Sequence, residues 1–214
     1  MAGVVIVVGG GIAAVALLLP RVEDAAYAAL SGDAGARELE TEVPSGWSAV
    51  PVMGGTGTVK HDPAWEDVAE YFDAQAMETE MAVQTGVDVA FHGAWLVAGD
   101  LEGDSTALVV LSIADVGGAS SARLEARAFV GSSTFGIEGA ETTSEGPVRT
   151  AAGYTGYLAE YEFPMYGKTW PNMVGVVVEG NSQLVVYTLG SSTTGSGDES
   201  VEAVLDSLQI VERR

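Results

Sequence analysis

The side chains that could carry out chemistry are few in this sequence. The two histidines, His61 and His92, lie far apart, and the chain contains no cysteine. The lack of cysteine excludes disulfides, thiolate metal sites, a cysteine nucleophile and a lipid-modified cysteine. No His-x-x-x-His spacing places two imidazoles on one face of a helix, so we predict no metal site. We expect both histidines to be ordinary surface or helix-capping residues.

Hydroxyl and carboxyl groups show no catalytic pattern either. No Gly-x-Ser-x-Gly or Ser-x-x-Lys motif is present to activate a serine. Asp100, Glu102 and Asp104 alternate through a predicted turn, where their oxygens could surround a calcium ion, but the glycine and the distal glutamate of an EF-hand are missing. A solvated turn is the simpler interpretation. We therefore predict a protein that is not an enzyme, with no catalytic residue, metal ligand or cofactor.

The charge of the chain restricts its partners. Thirty acidic residues stand against nine basic ones, and Lys60 and Lys168 are the only lysines. The resulting formal net charge of -21 repels phosphate backbones and anionic headgroups. We expect no nucleic-acid binding and no peripheral docking on anionic lipid.

One segment, Phe163 to Asn172, combines aromatic residues, a methionine, a lysine and two prolines. Exposed aromatics beside a cation, on a connection stiffened by prolines, are typical of the contact residues in a protein interface. An alternative is that this connection between two strands folds back and caps one end of the sheet. We predict five partner-binding residues here, namely Phe163, Met165, Tyr166, Lys168 and Trp170.

The N-terminus determines where these groups act. Gly3 to Leu19 is a run of seventeen residues without charge, closed by Pro20 and Arg21. Such a run spans about 25 Å as a helix, which is the short end of what a bilayer needs. We predict a transmembrane anchor over 1–20, with a cleaved signal segment and a core helix as the alternatives. An acidic stalk rich in alanine and glycine is expected over 21–45.

The folded domain is expected over 46–214. Asp62-Pro63 has the composition of a helix start, and apolar residues recur at three- and four-residue spacing over 63–82. A second helix is predicted from Ser121 to Val130, ended by Gly131. Runs rich in β-branched and aromatic residues predict strands over 87–91, 95–99, 106–113, 155–163, 173–179 and 183–189.

The C-terminal part carries the clearest local signals. Gly180-Asn181-Ser182 between the last two runs predicts a tight hairpin. Ser196 and Glu199 match a capping box, and the closing helix that follows has an apolar stripe of Val201, Val204, Leu205 and Leu208. Residues 209–211 are expected to end as a short strand. Helix first, antiparallel strands in the middle and helix last predict an α+β fold, an antiparallel sheet with flanking helices.

This layout resembles the PsbP-like fold. Gly46-Trp47, Asp62-Pro63-Ala-Trp65, the central hairpin and the closing run from Val204 to Ile210 carry the resemblance, which covers about residues 45–212. Within that fold the chain looks like the lipoprotein family typified by mycobacterial LpqN, and its composition resembles that of an actinobacterial protein. The resemblance implies a non-enzymatic binding or assembly module. This sequence departs from the lipoprotein pattern because it has no anchoring cysteine.

These observations predict a single-pass cell-membrane protein with its main domain outside the cytoplasm, binding a protein partner in the cell envelope. Two other functions remain open. One is a carrier or sensor of a small apolar ligand or lipid, lined by Trp65, Phe72 and Trp95. The other is a hydrolase of unknown substrate.

Overall fold

The computed structural model describes residues 35–85, 87–100, 104–114, 121–134, 136–165, 167–190 and 197–211. The predicted transmembrane run and most of the predicted stalk lie outside these residues. Within them, no helix has the length and apolar character needed to cross a membrane.

The described residues form eleven strands and three α-helices. The strands are β1 (Arg37–Glu38), β2 (Ser48–Val52), β3 (Gly57–His61), β4 (Glu66–Asp67), β5 (Val89–Gly99), β6 (Ser105–Ala114), β7 (Glu141–Arg149), β8 (Thr155–Met165), β9 (Lys168–Glu179), β10 (Ser182–Gly190) and β11 (Gln209–Ile210). The helices are α1 (Ala74–Thr85), α2 (Ala122–Ser133) and α3 (Gly197–Asp206), and short 3-10 turns lie at Met53–Gly55 and Ala69–Tyr71.

A large sheet dominates the fold, in the strand order β1-β7-β8-β9-β10-β6-β5-β4. Every pairing within it is antiparallel except that of β1 with β7. A second, three-stranded sheet has the order β11-β3-β2. The predicted α+β class with an antiparallel sheet is therefore confirmed.

The central strands β6, β9 and β10 of the large sheet are buried on both faces, which explains their nearly continuous apolar sequences. In β10, Leu184 and Val186 point to one core, while Val185 and Tyr187 point to the other. The first core lies under α3 and the small sheet, on what we call the α3 face. The second lies under α2, on the α2 face.

The closing helix was predicted correctly. Its residues Val201, Val204 and Leu205, with Leu208 just beyond it, are completely buried against the α3 face. Gly175 of β9 permits this close approach, since a β-carbon there would overlap the side chain of Leu205. Ser196, the expected N-cap, lies outside the described residues.

The predicted helix over 63–82 is wrong in its first half. The Asp62 carboxylate accepts a hydrogen bond from the Ala64 amide at 2.8 Å and closes a turn. The chain then pairs as β4 with Trp95 and Leu96 of β5. Without β4, this stretch of the edge of β5 would be unpaired. Pairing satisfies backbone N–H and C=O groups of both strands, and this outweighs the local preference for a helix.

Helix α2 begins as predicted and ends later. The Ser121 hydroxyl accepts a hydrogen bond from the Leu124 amide at 3.2 Å, as an N-cap does. The helix passes the exposed Gly131 and stops at Ser133, where Thr134 donates its hydroxyl to the Val130 carbonyl at 2.8 Å. A glycine on the solvent side costs helix stability without ending the helix.

The strand predictions are largely confirmed. The runs 87–91 and 95–99 form one strand, β5, with a register shift between Phe91 and Gly93. Gly93 is required there because a β-carbon would overlap the indole ring of Trp95. The β9–β10 hairpin turns through Gly180 and Asn181 as predicted, with Gly180 at φ +59°.

Residues 37–39 lie within the predicted stalk, yet they belong to the sheet. Strand β1 pairs in parallel with Val148 and Arg149, and the Leu39 amide donates to the Arg149 carbonyl at 2.8 Å. Leu39 itself is 5% exposed and packs into the α3-face core. The division into anchor, stalk and domain otherwise stays a prediction.

Candidate partner-binding site

The segment predicted to be a loop with partner-binding residues is the end of a β-hairpin. Strands β8 and β9 pair up to the turn, with Phe163 opposite Trp170 and Met165 opposite Lys168. Gly167 in the turn has φ +75°, a conformation that glycine adopts without strain. Tyr166 lies outside the described residues. The aromatic residues that predicted an interface loop are also good strand formers, which is why the loop prediction is wrong.

Cross-strand stacking fixes the aromatic side chains of this hairpin end. The rings of Phe163 and Trp170 stack with centroids 6.2 Å apart, and those of Tyr161 and Phe163 at 6.4 Å. Tyr161 and Phe163 are buried in the α2-face core, whereas Trp170 is only partly buried. Phe163 therefore serves as the base on which a partly exposed indole rests.

Lys168 links the hairpin end to a neighbouring turn. Its Nζ lies 2.5 Å from Oδ1 of Asp104, and both side chains are 53% exposed. Such an exposed ion pair contributes at most about 1 kcal/mol, so the lysine can exchange its partner at little cost. Asp104 belongs to the turn considered above for calcium. Glu102 of that turn lies outside the described residues, and among those described no three His, Cys, Asp or Glu side chains are grouped to hold a metal.

A groove of about 370 Å³ between α2 and β7 lies beside the hairpin end. The segment before β7 lies close to the hairpin end, since a β-carbon on Gly139 would lie 3.2 Å from Cγ of Pro164. The groove is lined by side chains and backbone of Arg127, Val130, Gly131, Thr134, Ala140, Glu141, Thr142, Glu145 and Ala159.

A charge pair spans this groove. Arg127 donates to both carboxylate oxygens of Glu145, one of them at 2.9 Å from Nε. This hydrogen bonding holds the pKa of Glu145 below its usual range, with a smaller contribution from Arg123. Burial raises the pKa of the neighbouring Tyr157 hydroxyl. The donors of Arg127 and the acceptors of Glu145 are thus engaged with each other.

Neither histidine is a simple surface residue, contrary to prediction. Nε2 of His92 lies 2.7 Å from the Ser112 hydroxyl oxygen, and burial lowers the pKa of this half-buried imidazole. The ring of His61 stacks on Trp95 with centroids 4.3 Å apart. Both contacts join residues distant in sequence, so no local pattern announces them.

The predicted apolar ligand site is wrong in its set of lining residues. Trp95 and Phe72, each 6% exposed, belong to the cores on opposite faces of the sheet, and Trp65 packs against the core that holds Trp95. A single cavity cannot be lined by residues that the sheet separates.

The groove itself was missed, because β7 was not predicted. Its sequence, Glu-Thr-Thr-Ser-Glu-Gly-Pro-Val-Arg, has little apolar character, and its first five residues are exposed. Its threonines are the one local strand signal. The ion pair of Arg127 with Glu145 depends on how α2 lies over β7, which sequence spacing does not reveal.

No protein-family model matches the sequence, and no curated protein matches it. Several solved structures are similar to it. One is PA94, a protein of unknown function from Pseudomonas aeruginosa, at 12% identity and a TM-score of 0.42, with 78% of this chain and 98% of that chain covered. A second, from Bacteroides thetaiotaomicron, has 12% identity and a TM-score of 0.44, and the match covers 78% of this chain and 48% of that chain. The third is LpqN, involved in cell envelope biogenesis of Mycobacterium tuberculosis, at 10% identity, a TM-score of 0.43, and coverage of 80% and 82%.

Proposed function

We propose that this chain is a membrane-tethered, extracytoplasmic module that binds a protein partner in the cell envelope. The apolar run Gly3 to Leu19 would anchor it as a single transmembrane helix. The partner would contact the end of the β8–β9 hairpin through Met165, Tyr166, Lys168 and Trp170, with the buried Phe163 supporting the ring of Trp170. No chemical transformation of the partner is part of this proposal.

The observation that supports it best is the exposure pattern of the hairpin end. Trp170 is partly exposed, rests on the buried ring of Phe163 and stands close in the chain to the exposed Lys168. Tryptophan is among the side chains enriched at the few positions that dominate binding energy in protein interfaces. Its strand neighbours fix its position, so little conformational entropy would be lost on binding.

The position of the tether is compatible with this role. Strand β1 pairs with Arg149 of β7, which in turn pairs with Thr155 at the start of β8. The hairpin turn lies at the other end of β8, after Met165. An extended strand rises about 3.3 Å per residue, so roughly 30 Å separate the two ends. The hairpin end would then lie roughly 30 Å from the point at which the stalk joins the sheet.

The experiment compares full-length tagged chains purified from native membranes after brief cross-linking. We expect one set of proteins to co-purify with the wild type and with Glu199→Gln, a control on α3 whose side chain is exposed. The same proteins should be lost with Trp170→Ala and reduced with Lys168→Glu. If all four chains retain the same proteins, the hairpin end is not the binding surface.

A further inference from the structure

Four aromatic rings form a continuous cluster at the edge of the α3-face core. The rings of Trp47 and Trp65 meet edge to face at 5.3 Å, and His61 lies 6.5 Å from Trp65 and 4.3 Å from Trp95. Trp95 is 6% exposed, while the other three are only partly buried. The cluster therefore runs from the core to the solvent, so that aromatic surface is available at its outer end.

The backbone fixes the hydrogen-bonding state of the histidine. Nδ1 of His61 lies 3.0 Å from the carbonyl oxygen of Asp62. A carbonyl oxygen only accepts hydrogen bonds, so Nδ1 carries the proton in this contact. In the neutral imidazole Nε2 is then an acceptor, able to receive an N–H from a ligand.

The segment that follows His61 is strongly acidic. Residues 62–73 contain five carboxylates and no basic residue; these are Asp62, Glu66, Asp67, Glu70 and Asp73. Asp67 is exposed and pairs directly with Trp95 across β4 and β5, so its side chain lies on the same face of the sheet as the cluster. Glu66 pairs with Leu96 and lies on the other face. Negative charge beside the negative faces of indole rings attracts a cation and disfavours an anion.

We propose that the cluster of Trp47, His61, Trp65 and Trp95 recognises a basic side chain of a partner polypeptide. An arginine or lysine side chain would lie against the indole faces, donate a hydrogen bond to Nε2 of His61 and be balanced by Asp67. Strands β10 and β6 lie between β5, which carries Trp95, and the β8–β9 hairpin. It is thus a second contact surface, independent of the one proposed above.

The four tryptophans provide the test. Each gives one indole N–H resonance in a ¹⁵N-labelled sample of the full chain, and Trp170 in the hairpin is the internal reference. The probe is the peptide acetyl-Gly-Arg-Gly-amide, and the control is the same peptide with neutral citrulline in place of arginine. We expect saturable shifts for Trp47 and Trp65 with the arginine peptide, no shift for Trp170, and no response to citrulline.

Two variants complete the test. Trp65→Leu should abolish the shift of Trp47, and Asp67→Asn should weaken binding at least threefold while preserving every ring. Glu66→Gln removes the neighbouring carboxylate, which lies on the other face, and should leave the affinity unchanged. Should Trp65→Leu fail to fold, Asp67→Asn still tests the proposal, since an affinity equal to that of the wild type would overturn it. Equal shifts of all four indoles, or an equal response to citrulline, would overturn the proposal.

Discussion

At the residue scale, one glycine sets the distance between α3 and the sheet. A β-carbon on Gly175 would overlap Leu205 and lie 2.9 Å from Cδ2 of Leu158, and both leucines are buried. Neighbours packed on all sides cannot yield freely, so extra volume there forces strain.

We expect Gly175→Ala to lower the free energy of unfolding by about 1–3 kcal/mol, as overpacking of a core does. The matched control is Gly146→Ala in β7, where no atom lies within 4 Å of the added carbon. Urea unfolding of the two variants measures the difference. Equal midpoints would mean that α3 does not pack against Gly175 as described.

A second residue-scale feature is the electrostatic environment of Glu160. Burial raises the pKa of this carboxyl, and the charges of Asp198 and Glu202 on α3 raise it further, while Arg37 on β1 opposes them. A carboxyl whose pKa is higher in the folded than in the unfolded protein stabilises the fold at pH values below its unfolded pKa, near 4.3. This stabilisation is lost as the pH rises through the folded pKa.

Glu160→Gln, which keeps the shape but never ionises, should therefore unfold at higher urea concentration than the wild type at pH 7. The advantage should shrink as the pH falls to about 4, where Glu160 itself becomes protonated. Urea unfolding at both pH values measures it. If the variant is less stable at pH 7, attraction to Arg37 outweighs the burial and repulsion that raise this pKa.

At the scale of the elements, the start of α1 shows how a local signal can be displaced. Asp73 accepts a hydrogen bond from the Ala76 amide at 2.9 Å, three residues on, as an N-cap does. Asp62, which the sequence favours, caps only a turn.

Asp73→Ala should cost about 1 kcal/mol, the usual loss for an N-cap, and should speed amide hydrogen exchange in α1. Asp62→Ala is the control and should leave exchange over 74–85 unchanged. Exchange followed by mass spectrometry distinguishes the two. Faster exchange in α1 with Asp62→Ala would mean that the helix begins at Asp62, as the sequence predicted.

Elements with strong local signals were predictable from the sequence. The β9–β10 hairpin and the stripe of α3 need only neighbours in the chain, namely Gly180 with Asn181 and the spacing from Val201 to Leu208. Strands β2, β3 and β7 were not predicted, because proline in β2 and β7 and the few apolar residues of β3 and β7 weaken the strand signal. The contact of Trp47 with Trp65 and the ion pair of Arg127 with Glu145 join different elements, so no local spacing indicates them.

The candidate site was predicted in composition but not in conformation. Aromatics beside Lys168 indicated an interface, yet nothing local revealed that Phe163 faces the core while Trp170 stays partly exposed. Both side chains lie on the α2 face, because the two residues pair directly across β8 and β9. The difference therefore depends on how far the packing on that face reaches towards the hairpin end, a property of the whole fold.

At the scale of the whole molecule, strand β1 pairs beside the start of β8, and the hairpin end lies at the other end of that strand. Residues 37–39 are held to the fold by two different kinds of contact. Arg37 forms an ion pair with Glu202 at 2.6 Å with its side chain 56% exposed, whereas Leu39 is buried.

Leu39→Ala should lower the free energy of unfolding by about 2–4 kcal/mol, as other losses of a buried leucine do. Arg37→Ala should cost less than about 1 kcal/mol, because an exposed ion pair is largely screened by solvent. Thermal and urea unfolding of both variants measure this. Similar small losses would place 37–39 in a stalk rather than in the domain.

The most direct test of partner binding at the hairpin end is photocrosslinking in intact cells. A photoreactive residue is placed at position 168 of the full chain, and at position 199 on α3 as the control. We expect one adduct of defined mass from position 168, in the membrane fraction, that disappears when Trp170→Ala is added. The same adduct from both positions, or an adduct at 168 that survives Trp170→Ala, would contradict the account.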